Sequence, residues 1–163
     1  MSRRDAPYVA VIGAGEASRS EIESAEAIGR LLAEAGAVVV CGGLGGVMHA
    51  AARGCTSAGG TAIGILPGDD RSPGSPHLTV AISTGLGEAR NAIVTRTADA
   101  VIAVGGEFGT LSEIGLALRM GKPVVGLATW SLAKAPGASD PLVRAGSPED
   151  AVRAALLAAR RRG

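Results

Sequence analysis

Strand-like and helix-like segments alternate along the whole 163-residue chain, which predicts an α/β fold: a single doubly wound parallel sheet with helices on both faces. Three observations carry that expectation. The strand candidates, such as Ala37-Val-Val-Val-Cys41 and Ala100-Val-Ile-Ala-Val104, are short continuous apolar runs, the pattern of strands covered on both sides. The segments between them are amphipathic at helical spacing. The chain also holds 25 glycines, roughly twice the average usage, and many of them cluster where strand candidates end.

The elements follow in order. Tyr8-Val-Ala-Val-Ile12 reads as the first strand and stops at Gly13. Ser20-Glu-Ile-Glu-Ser24 opens a helix with Ile22, Ala25, Ile28, Leu31 and Leu32 on one stripe and Gly36 beyond its end. Ala37 to Cys41 is the second strand, followed by an alanine-rich helix from about Gly46 to Ser57 and a third strand from Thr61 to Leu66. Pro67-Gly-Asp-Asp-Arg-Ser-Pro-Gly-Ser-Pro76 cannot be regular structure and reads as a long surface loop with a gating or binding role. His77 to Ile82 reads as a further short strand, Gly87 to Thr97 as a helix, and Ala100 to Val104 as a central strand. A helix from Thr110 to Met120 ends at Gly121 and Pro123, before the strand Val124 to Leu127. Ser147-Pro148-Glu149-Asp150 is an N-cap, a proline at the first helical position and two first-turn acids, and it starts a last helix to about Arg160.

Composition excludes several classes. Hydrophobic residues make up 47% of the chain, too many for a disordered segment. The glycines have no three-residue period, which excludes collagen. No composition shift or internal repeat divides the chain, so residues 1–163 are expected to form one domain able to bury a core. Sixteen Lys and Arg against fifteen Asp and Glu leave a net charge of +1, and the three aromatics Tyr8, Phe108 and Trp130 offer little surface for stacking bases. Nucleic acid is therefore a disfavoured partner. Arg3-Arg4 and Arg160-Arg161-Arg162 read as solvated termini, with an anion-facing role as the alternative.

No apolar run approaches the roughly 18–20 residues of a membrane span, and Met-Ser-Arg-Arg-Asp lacks the apolar stretch of a signal peptide. The expectation is a cytoplasmic protein with no membrane partner. Cys41 and Cys55 have no metal-ligand spacing and read as buried thiols, a catalytic cysteine being the alternative. His49 and His77 stand alone in the sequence. Neither a metal nor a resident cofactor is expected.

Three glycine clusters fall after a strand and before a helix: Gly13-Ala-Gly15, Gly42-Gly43-Leu-Gly45-Gly46 and Gly105-Gly106-Glu-Phe-Gly109. In a parallel sheet such turns gather at the carboxyl ends of the strands, where bare N–H groups and helix N-termini hold anions, commonly phosphate. Two familiar nucleotide loops are absent. Gly13-Ala-Gly-Glu-Ala-Ser18 only approximates G-x-G-x-x-G, and Cys41-Gly42-Gly43 stands where a dinucleotide site places an acid. No G-x-x-x-x-G-K-[ST] occurs; Gly121-Lys122 ends a helix.

What remains is Gly105-Gly-Glu-Phe-Gly-Thr-Leu-Ser-Glu113, with Gly85-Leu-Gly-Glu-Ala-Arg-Asn91 upstream. Gly109 and Thr110 would offer N–H groups and a hydroxyl to phosphate, Glu113 would accept from sugar hydroxyls or stabilise positive charge, and Arg90 would supply a cation. Thr110-x-x-Glu113 is equally a plain capping box.

This stretch resembles the signature P-G-G-x-G-T-x-x-E, with an upstream arginine, of the LOG (Lonely Guy) family. That family's wider Rossmann-like superfamily includes molybdenum-cofactor carrier proteins and the DNA-processing protein DprA/Smf. Val11-Ile-Gly-Ala-Gly-Glu16, Gly42-Gly-Leu-Gly-Gly-Val-Met48 and Ile65-Leu-Pro-Gly-Asp-Asp70 extend the resemblance over about residues 7 to 128 and are similar to its compact bacterial branch. The resemblance implies a Rossmann-like nucleotide-binding domain with phosphate held at Gly109 and Thr110. Arg90 and Glu113 would be catalytic in cleaving a nucleoside 5′-monophosphate to base and ribose 5-phosphate. The alternative it implies is a non-catalytic carrier of an anionic ligand such as molybdenum cofactor. It also implies a homodimer or larger homo-oligomer. Two positions depart from the signature: Gly105 replaces its proline and Glu107 its second glycine, which sets a carboxylate near any bound phosphate.

Overall fold

A computed structural model describes residues 6–161; Arg3, Arg4 and Arg162 lie outside the described residues. Its elements are β1 (Tyr8–Gly13), α1 (Arg19–Glu34), β2 (Val38–Cys41), α2 (Val47–Ser57), β3 (Thr61–Leu66), β4 (Val80–Ser83), a 3-10 turn (Gly87–Arg90), α3 (Asn91–Thr97), β5 (Ala100–Val104), α4 (Phe108–Arg119), β6 (Val124–Leu127), β7 (Val143–Ala145) and α5 (Pro148–Arg160). All strand pairs are parallel, in one seven-stranded sheet of order β4-β3-β2-β1-β5-β6-β7. The chain enters at the centre, runs outward to β4, then returns beside β1 and runs to the other edge. The reversal between β1 and β5 is the crevice where open α/β sheets place their ligands.

Alternate residues of each central strand face opposite cores, as the two-residue strand period requires. Val9 and Val11 of β1 join the core formed with α1, α2 and α5, whereas Ala10 and Ile12 join the one formed with α3 and α4. The helices thus cover both faces, as the apolar runs predict. Among the described residues none of the buried hydrophobic side chains is aromatic. A core of Val, Ile, Leu and Ala sets thin layers, and thin layers need close backbone approach.

Glycine supplies it. A Cβ on Gly29 of α1 would lie 2.0 Å from the Ala51 carbonyl oxygen of α2, and one on Gly54 of α2 would lie 2.0 Å from the Glu26 carbonyl oxygen of α1. The two helices therefore touch backbone to backbone, with a glycine on each.

Caps fix the helix starts. Ser18 accepts from the Glu21 N–H at 3.3 Å and the Glu21 carboxylate accepts from the Ser18 N–H at 2.6 Å, a full capping box. Ser147 accepts from the Asp150 N–H at 3.1 Å, with Pro148 at the first helical position, as its sequence motif indicates.

Several boundaries differ from expectation. The Gly87 to Thr97 segment splits at Asn91, because a 3-10 turn precedes the α-helix. β4 begins at Val80, three residues late: Thr79 instead exchanges hydrogen bonds with Ala62, its N–H donating at 2.8 Å and its hydroxyl accepting at 3.0 Å. β7 went unanticipated, being three residues long and largely exposed, with no apolar run to mark it. The proline-rich 67–76 segment is a surface loop, tied down at one end by the Ser75 N–H donating to the Gly43 carbonyl at 2.8 Å. Among the described residues no helix is long and apolar enough to cross a membrane.

The interhelical glycines give a direct test. Gly54→Ala should destabilise by about 2 kcal/mol or more through overpacking and lower the thermal midpoint by about 5 °C or more. Gly115→Ala, on exposed α4 with nothing within 4 Å of the added carbon, should instead hold or raise the midpoint. Equal effects of the two would contradict the packing account.

Candidate functional site

The carboxyl ends of β1 and β2, the first turns of α2 and α3, and the start of α4 enclose a pocket of about 150 Å3. Its lining comes from the β1 and β2 ends (Ile12 to Gly15, Gly42), Met48, the Arg90–Asn91 pair, and Glu107, Gly109, Thr110 and Glu113 at the start of α4. Pockets that enclose a whole drug-sized ligand usually exceed about 300 Å3. This one is smaller, with room for a single small group.

α4 begins at Phe108, two residues before the expected Thr110, and that shift decides the role of the Thr110–Glu113 pair. Glu107 is the N-cap and makes no side-chain capping bond. Thr110 is therefore the third helical residue, and the capping-box reading fails. Freed from capping, Thr110 and Glu113 lie one turn apart on one helix face, 3% and 8% exposed, both on the pocket wall.

Arg90, only 8% exposed, is the opposing charge. It ends the 3-10 turn, where its Nη1 donates to the Asn91 side chain and its Nη2 to the Gly42 carbonyl at 3.3 Å. Its Nε is buried without a protein partner. A buried guanidinium with an unmet donor on a pocket wall is poised for an anion. Asn91, which sequence reasoning missed, orients it; an asparagine next to an arginine carries no signal that could have marked it.

Burial pushes the Glu113 carboxyl up to about 7, against the opposing pull of Arg90. Burial likewise draws Arg90 below its ordinary value while Glu113 resists. The two groups couple through space and make no direct ion pair. Glu107 stands exposed at the pocket mouth, where water screens its carboxylate.

The structure brings Gly13, Gly15, Gly42, Gly109, Thr110, Arg90 and Glu113 together and leaves five of the expected glycines off the wall. Each of those has another task. Gly43, at φ 78°, fits against Leu66 and receives Ser75. Gly45 packs at the Gly15 carbonyl, and a Cβ on Gly46 would sit 2.1 Å from the Ala14 carbonyl oxygen, which the Val47 N–H reaches at 3.1 Å. Gly105 and Gly106 receive the carboxylate of Glu21: a Cβ on Gly105 would lie 1.6 Å from Glu21 Oε1. Glu21 is held below its ordinary value chiefly by the Ser18 N–H, with a smaller share from the Gly106 N–H.

Cys41 and Cys55 are buried free thiols, each pushed up to about 11 by burial, and so unreactive. The histidines, by contrast, do not stand alone. The 67–76 loop carries His77 back to His49, the ring centroids 4.9 Å apart, and Ser75 Oγ lies 3.0 Å from His49 Nδ1. Among the described residues no group of three or more His, Cys, Asp or Glu could hold a metal ion.

The chain and its fold are similar to those of known proteins. A protein of Archaeoglobus fulgidus is 44% identical over 119 residues, 73% of this chain and 78% of that protein. The molybdenum cofactor binding protein of the phototrophic bacterium Rippkaea orientalis superimposes with a TM-score of 0.85 at 39% identity, over 91% of this chain and 94% of that one. The molybdenum cofactor carrier protein of Chlamydomonas reinhardtii does so with a TM-score of 0.82 at 32% identity, over 94% and 98%. DNA processing protein A of Helicobacter pylori shares the fold alone, at 22% identity and a TM-score of 0.71 over 95% and 83%. These matches bear out the superfamily that the Gly105–Glu113 signature suggests. With residues 6–152 matched by its model, the chain belongs to the SLOG cluster4 family.

Proposed function

We propose that this protein binds a small phosphate-bearing ligand in the β1–β2–α4 pocket, and that the ligand is the phosphorylated pterin of molybdenum cofactor, held as cargo and not transformed. The observation that carries the reading is Arg90: a buried guanidinium whose Nε lacks a protein partner, on the wall of a pocket with room for a single small group. Backbone N–H groups at Gly109 and Thr110, at the positive end of α4, complement it. The pterin ring would lie outside, since the cavity cannot enclose it. Similarity to cofactor-binding and cofactor-carrier proteins over nine-tenths of the chain supports the choice of ligand. On this reading residues 1–163 act as one binding domain, and a second copy packed against it is part of the same proposal.

Arg90→Gln should lose at least tenfold in retention of molybdopterin, measured by oxidising the co-purified pterin to its fluorescent form. Equal loading of wild type and variant would contradict the assignment.

The charge state of Glu113 adds a pH dependence. Its carboxyl is raised from 4.5 to about 7, so the protonated form is preferred in the folded protein. The stability it contributes is complete below pH 4.5 and is lost as pH rises to about 7, an effect on the order of 3 kcal/mol. Anion binding follows the same sign, because ionised Glu113 repels phosphate. Wild-type affinity for inorganic phosphate should therefore fall between pH 6 and pH 8 relative to Glu113→Gln, the ratio cancelling the titration of phosphate itself. A ratio independent of pH would refute the coupling.

One observation favours a second reading, hydrolysis of a nucleoside 5′-monophosphate. Glu113 near 7 can hold a proton at neutral pH and share the pocket with Arg90, as acid-assisted departure of a base requires. Incubation with AMP should then release adenine with wild type, and at least a hundredfold more slowly with Glu113→Ala. No adenine from wild type removes this reading and leaves the carrier.

A further inference from the structure

The segment that follows β6 holds the β5–α4 turn. The chain leaves β6 through Ala128, whose φ of 50° is the one positive value at a non-glycine among the described residues. Two side chains then reach back. The Thr129 hydroxyl donates to the Gly105 carbonyl, and Trp130 Nε1 donates to the Glu107 carbonyl at 3.3 Å. Gly126 makes room for this, since a Cβ there would lie 2.8 Å from Thr129 Cγ2. The backbone of the pair is secured in turn: Arg144, paired with Asp140, donates to the carbonyls of Thr129 and Trp130.

These bonds set direction. Every described peptide bond is trans, so the carbonyl of one residue and the N–H of the next point opposite ways. Drawing the Gly105 carbonyl toward the segment after β6 turns the Gly106 N–H away from it, while the Glu107 carbonyl meets the Trp130 indole. The Gly106 N–H meets Glu21, and the residues after Glu107 open α4, whose Gly109 and Thr110 line the pocket. The Glu107 carbonyl also accepts from the Leu111 N–H at 3.0 Å, so the same oxygen joins the indole to the first turn of the helix.

We infer that Thr129 and Trp130 are positioning residues for the anion pocket: they hold the Gly105–Glu107 turn so that the first-turn N–H groups of α4 and the Thr110 hydroxyl meet an anion at Arg90. The inference rests on reading the pocket as a phosphate site, which the unpartnered Arg90 Nε supports independently of the helix end. Sequence analysis assigned no role to either residue. Trp130 is also the only tryptophan in the chain, so its emission reports on the loop it holds.

The test uses inorganic phosphate as the probe, titrated by calorimetry and, in the wild type, by tryptophan emission. Thr129→Val keeps the side-chain shape and removes the hydroxyl; it should raise the phosphate Kd at least fivefold. Thr129→Ser restores the hydroxyl and should return the Kd to within twofold of wild type. Trp130→Phe keeps a packed ring without its N–H donor and should match Thr129→Val, which covers the case in which the valine variant does not fold. Unchanged affinity in Thr129→Val and Trp130→Phe, or serine as weak as valine, overturns the positioning role while the pocket stands. No saturable binding to wild type, or binding unaltered in Arg90→Gln, overturns both this inference and the phosphate reading beneath it.

Discussion

Backbone meeting backbone without an intervening Cβ is the constraint on which this fold rests. Gly29 and Gly54 let α1 and α2 touch, Gly46 lets α2 start against the β1 turn, and Gly105 lets α1 bring its capping carboxylate to the β5 turn. Each contact draws a helix start toward the central strands. The same contacts crowd three strand ends into a small volume, and the pocket is what remains there. A chain with bulkier, aromatic side chains between the layers would hold the helices farther off and leave a wider cleft.

Electrostatics then gives that volume its character. Arg90 and Glu113 are each costly to hold out of water when charged. Glu113 relieves the cost by retaining its proton to about 7, while Arg90 keeps its charge and an unmet donor. Below that pH the pair presents a net cation to an incoming ligand; above it the two charges offset one another. The exposed Glu107 adds a screened negative charge at the mouth.

Much of this was legible in the sequence because it depends on local chemistry. Apolar runs bounded by glycine marked β1, β2, β3, β5 and β6 to within a residue, and Ser147-Pro148 marked the start of α5. The motif from Gly105 to Glu113 located one wall of the pocket and Arg90 another. What failed to show depends on distance in space. Nothing local says that Gly105 and Gly106 serve Glu21, more than 80 positions away, instead of an anion. Thr110-x-x-Glu113 looks like a cap because the pattern is the same whether the helix starts at residue 108 or 110; the start at Phe108 carries no local signal. His49 and His77 looked solitary because the loop that joins them has no regular pattern.

The central claim is that one anion sits between Arg90 and the first turn of α4. A crystal structure with a phosphate-bearing pterin measures it most directly. A phosphate oxygen should lie within hydrogen-bond distance of Arg90 Nε and of the Gly109 or Thr110 N–H, with the ring outside the cavity. Phosphate bound elsewhere, with Arg90 Nε still unpartnered, would contradict it.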